Sequence, residues 1–79
     1  MKDQLETMKV TIQRQNAAME ECTDLLSIGD SLYTVGRTRD GFATWAVAVH
    51  DGSSHWGHYG FPTREEALVD VVERTGVAK

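Results

Sequence analysis

The 79 residues carry a single cysteine, Cys22, and a net charge of −4. That excludes an intrachain disulfide and leaves no basic footprint for displacing counterions from a nucleic-acid duplex. No apolar run approaches the length of a membrane-spanning helix, and the size fits a single domain with a modest core. The start, Met1-Lys2-Asp3-Gln4, lacks the apolar centre of an export signal, so with one unpaired thiol the expected location is the cytoplasm. The acidity concentrates early in the chain, in Glu20, Glu21, Asp24 and Asp30.

Residues 3–28 read as one long helix. Leu5, Ile12, Met19 and Leu26 recur every seven residues, and Met8, Gln15 and Cys22 follow the first three by three. This is a heptad stripe with one polar member. Val10-Thr11-Ile12 is the weak point for helix, and Gly29 a natural stop. A helix of about 26 residues spans roughly 39 Å, whereas a strand of about seven spans roughly 23 Å. Part of the stripe is therefore expected to overhang the sheet, and Leu5, Met8, Ile12 and Met19 become candidates for self-association as a homodimer.

A three-stranded antiparallel meander is expected next, over about 31–38, 42–50 and 55–61. Asp40-Gly41 suits a type I′ turn and Gly52-Ser53 a type II′ turn. Centring the hairpins there puts Val35 opposite Ala46, His50 opposite His55 and Val49 opposite Trp56. One face then holds Leu32, Thr34, Trp45, Val47, Val49, Trp56 and His58, and is the expected core. The other holds Tyr33, Val35, Arg37, Thr44, Ala46, Ala48, His50, His55, Tyr59 and Phe61. Its aromatic and arginine rim around small residues suits recognition, unless the two helices sandwich the sheet. Pro62 ends the third strand. Thr63-Arg64-Glu65-Glu66 forms a capping box for a helix over about 63–75, with Ala67, Leu68, Val71 and Val72 as its apolar face and Gly76 as its end. The fold class is thus α+β, in the order αβββα.

Candidate chemistry is sparse. His50 and His55 are cross-strand neighbours in this register, but two histidines make a poor metal site without further ligands. Cys22 sits at a core-type position, where a small buried thiol is ordinary. The glycines form no phosphate-loop spacing. No cofactor, metal or catalytic residue is expected, and the chain reads as a non-enzyme.

Residues 42–74 nevertheless carry a pattern: Trp45-Ala46-Val47-Ala48-Val49, Asp51-Gly52, Trp56 to Gly60, then Phe61-Pro62-Thr63-Arg64-Glu65-Glu66-Ala67. This resembles the sheet-plus-helix DNA-binding modules in the N-terminal arms of phage integrases. The resemblance implies a βββα unit whose sheet enters the major groove through basic and aromatic side chains. Here only Arg37 and Arg39 lie on or near the sheet.

In general character the chain also resembles the small inhibitors, anti-CRISPR proteins among them, that phages and mobile elements direct against host machinery. The leading expectation is a protein-binding module acting through an acidic helix (Glu20, Glu21, Asp24) and the sheet face (Tyr33, Arg37, His50, His55, Tyr59, Phe61). Nucleic-acid binding through Tyr33, Arg37, Tyr59 and Phe61, and self-association through the helical stripe, are the alternatives.

Overall fold

The computed structural model describes residues 2–75, with side chains over 6–75. The order is α1 (Lys2–Gln15), β1 (Glu21–Ile28), β2 (Ser31–Thr38), β3 (Gly41–Val47), β4 (Ser54–Phe61) and α2 (Arg64–Thr75). The fold is α+β, with four antiparallel strands in spatial order β1-β2-β3-β4.

The expected 26-residue helix is corrected to a helix of 14 residues and a strand of eight. Asn16 makes the break. Its carbonyl accepts the Met19 N–H at 3.1 Å, and its side-chain oxygen accepts the Ala18 N–H at 3.0 Å. This local turn competes with continued helix. The Glu20 N–H then donates to the Arg37 carbonyl at 2.8 Å and starts the strand pairing. Gly29 is no helix stop. It opens the two-residue Gly29-Asp30 loop between β1 and β2 at φ 61°, which glycine adopts without a steric penalty. At roughly 21 Å, α1 matches the strands it covers, so the overhang disappears.

The helices lie on opposite faces of the sheet. On one, Ile12 of α1 packs with Met19, Cys22, Ala43, Trp45 and Val47. On the other, Ala67 and Val71 of α2 pack with Val35, flanked by Tyr33, Phe42 and Phe61. Full burial of Ile12, Val35 and Val71 contributes about 1.5–3 kcal/mol each. The face expected to stay open for recognition is thus the seat of α2. Four members of the heptad stripe, Met8, Ile12, Met19 and Cys22, do meet, but in a helix–turn–strand core. Among the described residues no helix is long and apolar enough to cross a membrane.

The first hairpin turns on Arg39-Asp40, so Val35 faces Thr44 instead of Ala46. A two-residue shift preserves side-chain parity, and β2 and β3 keep their expected faces. The second hairpin has a longer loop. Gly52 (φ 76°) lies under Thr11, the Gly52 N–H donates to the Ala48 carbonyl at 2.8 Å, and the Gln15 amide donates to the Asp51 carbonyl. Ala46, not His50, stands opposite His55.

The N-cap forms: Thr63 Oγ1 accepts the Glu66 N–H at 3.2 Å, but the Thr63 hydroxyl, not its backbone N–H, donates to the Glu66 carboxylate, at 3.4 Å, so the reciprocal half of the capping box is replaced. Gly76 lies outside the described residues.

Cys22 is buried, with Sγ 3.1 Å from Thr34 Oγ1. Burial pushes its thiol pKa up. Native protein at neutral pH is expected to resist a thiol-specific chromogenic reagent that labels the same cysteine rapidly in denaturant. Equal labelling rates in the two states would contradict this placement.

Candidate interaction surface

Strand β4 is built on an interrupted alternation. Its sequence, Ser54-His55-Trp56-Gly57-His58-Tyr59-Gly60-Phe61, places glycine twice among bulky residues. His55 faces Ala46, His58 faces Thr44 and Phe61 faces Phe42. Three residues of β4 thus advance against two of β3 on each side of His58, which defines a bulge each time. Trp56 (φ 53°) and Gly60 (φ 89°) take up the two irregularities in left-handed backbone. For glycine this is ordinary, but for a bulky aromatic residue it is a genuine outlier.

The bulges redistribute the side chains. Trp56 projects into solvent at 79% exposure. His58 turns to the α2 face. Tyr59 turns to the α1 face, where its hydroxyl accepts the Trp45 indole N–H at 3.1 Å and the rings meet edge to face at 5.5 Å. Gly57 makes room for this contact, since a Cβ there would come within 2.6 Å of both Trp45 Nε1 and the Tyr59 ring.

Helix α2 holds the Trp56 backbone in place. Arg74 donates through Nη2 to the Trp56 carbonyl at 2.6 Å and through Nη1 to Thr44 Oγ1 at 3.0 Å. Its guanidinium lies 5.7 Å from the Tyr33 ring centroid, within cation–π range. The buried Thr44 hydroxyl donates to Asp70 Oδ2 at 2.6 Å, and His58 Nδ1 lies 3.1 Å from both Asp70 oxygens. The network His58–Asp70–Thr44–Arg74 therefore ends on the carbonyl of the strained residue. Beside it opens a groove of about 550 Å³ lined by Tyr33, Ala46, Val47, Val49, Trp56 and Arg74, with Asp30, Ser31 and Leu32 completing the wall.

The six sheet-face candidates do not share a face. Tyr33 and Phe61 are half-buried around α2. Tyr59 is on the α1 side. Arg37 is exposed but paired with Glu21 at 3.1 Å and Glu20 at 3.8 Å. His50 sits in the β3–β4 loop 3.5 Å from Asp51, and His55 Nε2 lies 2.8 Å from Ser53 Oγ. The bulges account for Tyr59 alone, by reversing side-chain parity between His55 and Phe61, and His50 leaves the face because β3 ends at Val47.

The acidic helix does not exist either. Glu20 precedes β1, Glu21 and Asp24 lie on it, and Asp24 receives a bidentate pair from Arg64 at 2.6 and 2.7 Å. Of the self-association stripe, Ile12 and Met19 are core, Met8 is half-buried, and the Leu5 side chain lies outside the described residues. Among the described residues, no three His, Cys, Asp or Glu side chains are grouped to hold a metal ion.

Neither a family model, a curated protein nor a solved structure matches the chain.

Of the expected core face, Trp56 and Val49 are instead exposed and His58 turns to α2; Trp56 is the consequential one, since alternation assigns it to the core with Trp45. The available signal was the Gly57/Gly60 spacing, which breaks a period-two strand and marks bulges.

The Arg64–Asp24 pair gives a pH prediction. Hydrogen bonds from Arg64 hold the Asp24 carboxyl below its usual value, against the smaller opposing effect of burial. A depressed folded-state pKa contributes stability that is complete above the unfolded carboxylate value, and is lost as pH falls through the folded one. Arg64→Ala is expected to lower the urea midpoint at neutral pH and to flatten its decline on acidification. An unchanged acid limb would show that the pair contributes nothing.

Proposed function

We propose that the protein is a non-enzymatic protein-binding module whose working surface is the β4 edge, with Trp56 as the anchor and Val49 and the Tyr33/Arg74 groove beside it. The observation that carries the reading is a tryptophan 79% exposed and held in left-handed backbone by an arginine from another element. Each half of that arrangement has a cost: left-handed backbone costs roughly 1–2 kcal/mol for a non-glycine residue, and an exposed indole leaves apolar area in water. Strain of this kind persists where the surroundings impose it, and it concentrates at ligand clamps. Tryptophan is also prominent among the residues that dominate interface energies. In this reading the protein acts by occupying its target, as small inhibitors do, and performs no chemistry.

The nucleic-acid alternative draws on Tyr33, Arg37, Tyr59 and Phe61. The fold distributes them over both faces and neutralises Arg37, so no specific observation favours it.

The test is affinity capture from nuclease-treated lysate of the source cells, with wild type, Trp56→Gly and Arg37→Ala as baits. A protein retained by wild type and Arg37→Ala and absent from Trp56→Gly is the expected result. Equal retention by all three baits, or no protein retained by wild type, would overturn the reading.

A further inference from the structure

The two edges of the sheet are built differently. Edge strand β4 has two bulges, left-handed residues at Trp56 and Gly60, and Pro62 directly behind it. Such irregularities keep a second strand from pairing. Edge strand β1 is irregular only between Cys22 and Asp24. From Asp24 to Ile28 it runs in unbroken register against β2, with no lysine, arginine or proline. Its one charge in that stretch, Asp24, is already neutralised by Arg64.

The backbone of β1 offers a definite hydrogen-bonding pattern. Ile28 and Ser31 close a two-residue loop and so form a hydrogen-bonded pair. Alternation along an antiparallel ladder then turns the N–H and C=O groups of Leu25 and Ser27 outward, away from β2.

Apolar surface continues from this edge onto α2. Asp70 and Arg74 reach His58, Thr44 and Trp56 on the β3–β4 side, and Arg64 reaches Asp24 on the β1 side. Leu68 and Val72 follow Arg64 at helical spacing and therefore flank the β1 side. Val72 is 37% exposed and neighbouring Val69 57%. Below them, Leu26 and Ile28 of β1 are only half-buried against the α2 core.

We propose that a second copy of the chain occupies this edge, β1 pairing antiparallel with β1 about a two-fold axis at Leu26. Leu25 then exchanges backbone hydrogen bonds with Ser27 of the partner subunit, and Ser27 with Leu25 of the partner subunit, about four bonds in all. Leu26 meets Leu26 of the partner subunit in the intervening close pair, on the α2 face. Asp24 falls opposite Ile28 of the partner subunit, so no like charges meet. Leu68 and Val72 extend the contact above the strands. An isologous contact closes on itself, and the blocked β4 edges stop further growth. This contact does not involve Trp56, so it stands or falls separately from the binding surface on β4.

Light scattering and sedimentation at high micromolar concentration test the proposal. The wild type is expected at twice the monomer mass. Ser27→Pro removes one outward N–H on each copy and none directed at β2, and is expected at the monomer mass with an unchanged far-ultraviolet circular dichroism spectrum. A monomeric wild type, or a folded Ser27→Pro that remains dimeric, would overturn the proposal. Leu26→Cys gives an independent reading. The close pair places the two Cα atoms about 4.5 Å apart, within disulfide range, so mild oxidation is expected to give an interchain-linked dimer on a non-reducing gel. Failure of that cross-link would also overturn it.

Discussion

Trp45→Ala is expected to lower stability by about 3–5 kcal/mol, the usual cost of truncating a buried large aromatic side chain. For a chain of this length, total stability is roughly 4–12 kcal/mol, so the loss is a large fraction of the whole. Trp45 is 2% exposed and lies at the centre of the α1-side core. Two glycines are shaped around it: a Cβ on Gly36 would come to 3.0 Å from its ring, and one on Gly57 to 2.6 Å from Nε1. With no side chains at those positions to move inward, the hole left by the indole is poorly filled. The Tyr59 hydroxyl also loses its donor. Urea unfolding gives the magnitude. Tyr59→Phe, which removes only the hydrogen bond of a half-exposed ring, is expected to cost about 0.5–1.5 kcal/mol at most. A Trp45→Ala midpoint within error of wild type would refute the placement of this side chain in the core.

Trp56→Gly is expected to behave in the opposite way on stability and far more severely on binding. The side chain is largely in water, so little burial is lost. Glycine relieves the left-handed strain at φ 53°. The gain, roughly 1–2 kcal/mol, is offset in part by about 0.5–1 kcal/mol from the looser unfolded chain. The net expectation is a protein at least as stable as wild type. Trp56→Asn, which tolerates the same backbone with less unfolded-state entropy, is expected to match or exceed it. Partner binding is expected to fall by roughly 30-fold or more, the loss typical of an interface hot spot. A variant that gains stability while losing its partner would identify strain maintained for function. If Trp56→Gly is clearly less stable than wild type, the left-handed tryptophan is structural.

The two tryptophans show where the fold was legible in the sequence. Trp45 sits in a regular stretch, Gly41–Val47, whose alternation assigns its face even when the hairpin register is off by two. Trp56 sits in the first of two bulges, and a bulge shifts parity by one, so alternation assigned Trp56 to the core and put His58 and Tyr59 on the wrong faces. The Thr63 cap on the Glu66 N–H was readable because its chemistry is local.

The N-terminal half was misread for a different reason. Ile12, Met19 and Leu26 satisfy a seven-residue period by coincidence, and the period masked two local signals. Asn16 favours a turn, and Gly29-Asp30 has the glycine-first form of a two-residue hairpin, the same form expected at Gly52-Ser53. Tertiary contacts then drew Met19 and Cys22 into the core that a helix would also have given them. The candidate surface was the least legible part. It depends on Arg74 reaching from α2 to the Trp56 carbonyl, a contact between residues 18 apart that no periodicity encodes.

On the proposed function, Trp56 is presented for a partner and Arg74 fixes the presentation. Calorimetric titration of the captured partner into wild type, Arg74→Lys and Trp56→Gly tests it most directly. Lysine keeps the charge but loses the planar fork that reaches both Thr44 and the Trp56 carbonyl. The predicted order of affinity is wild type, then Arg74→Lys, then Trp56→Gly, with the last at least roughly 30-fold weaker than the first. Equal affinity for wild type and Trp56→Gly would contradict the account.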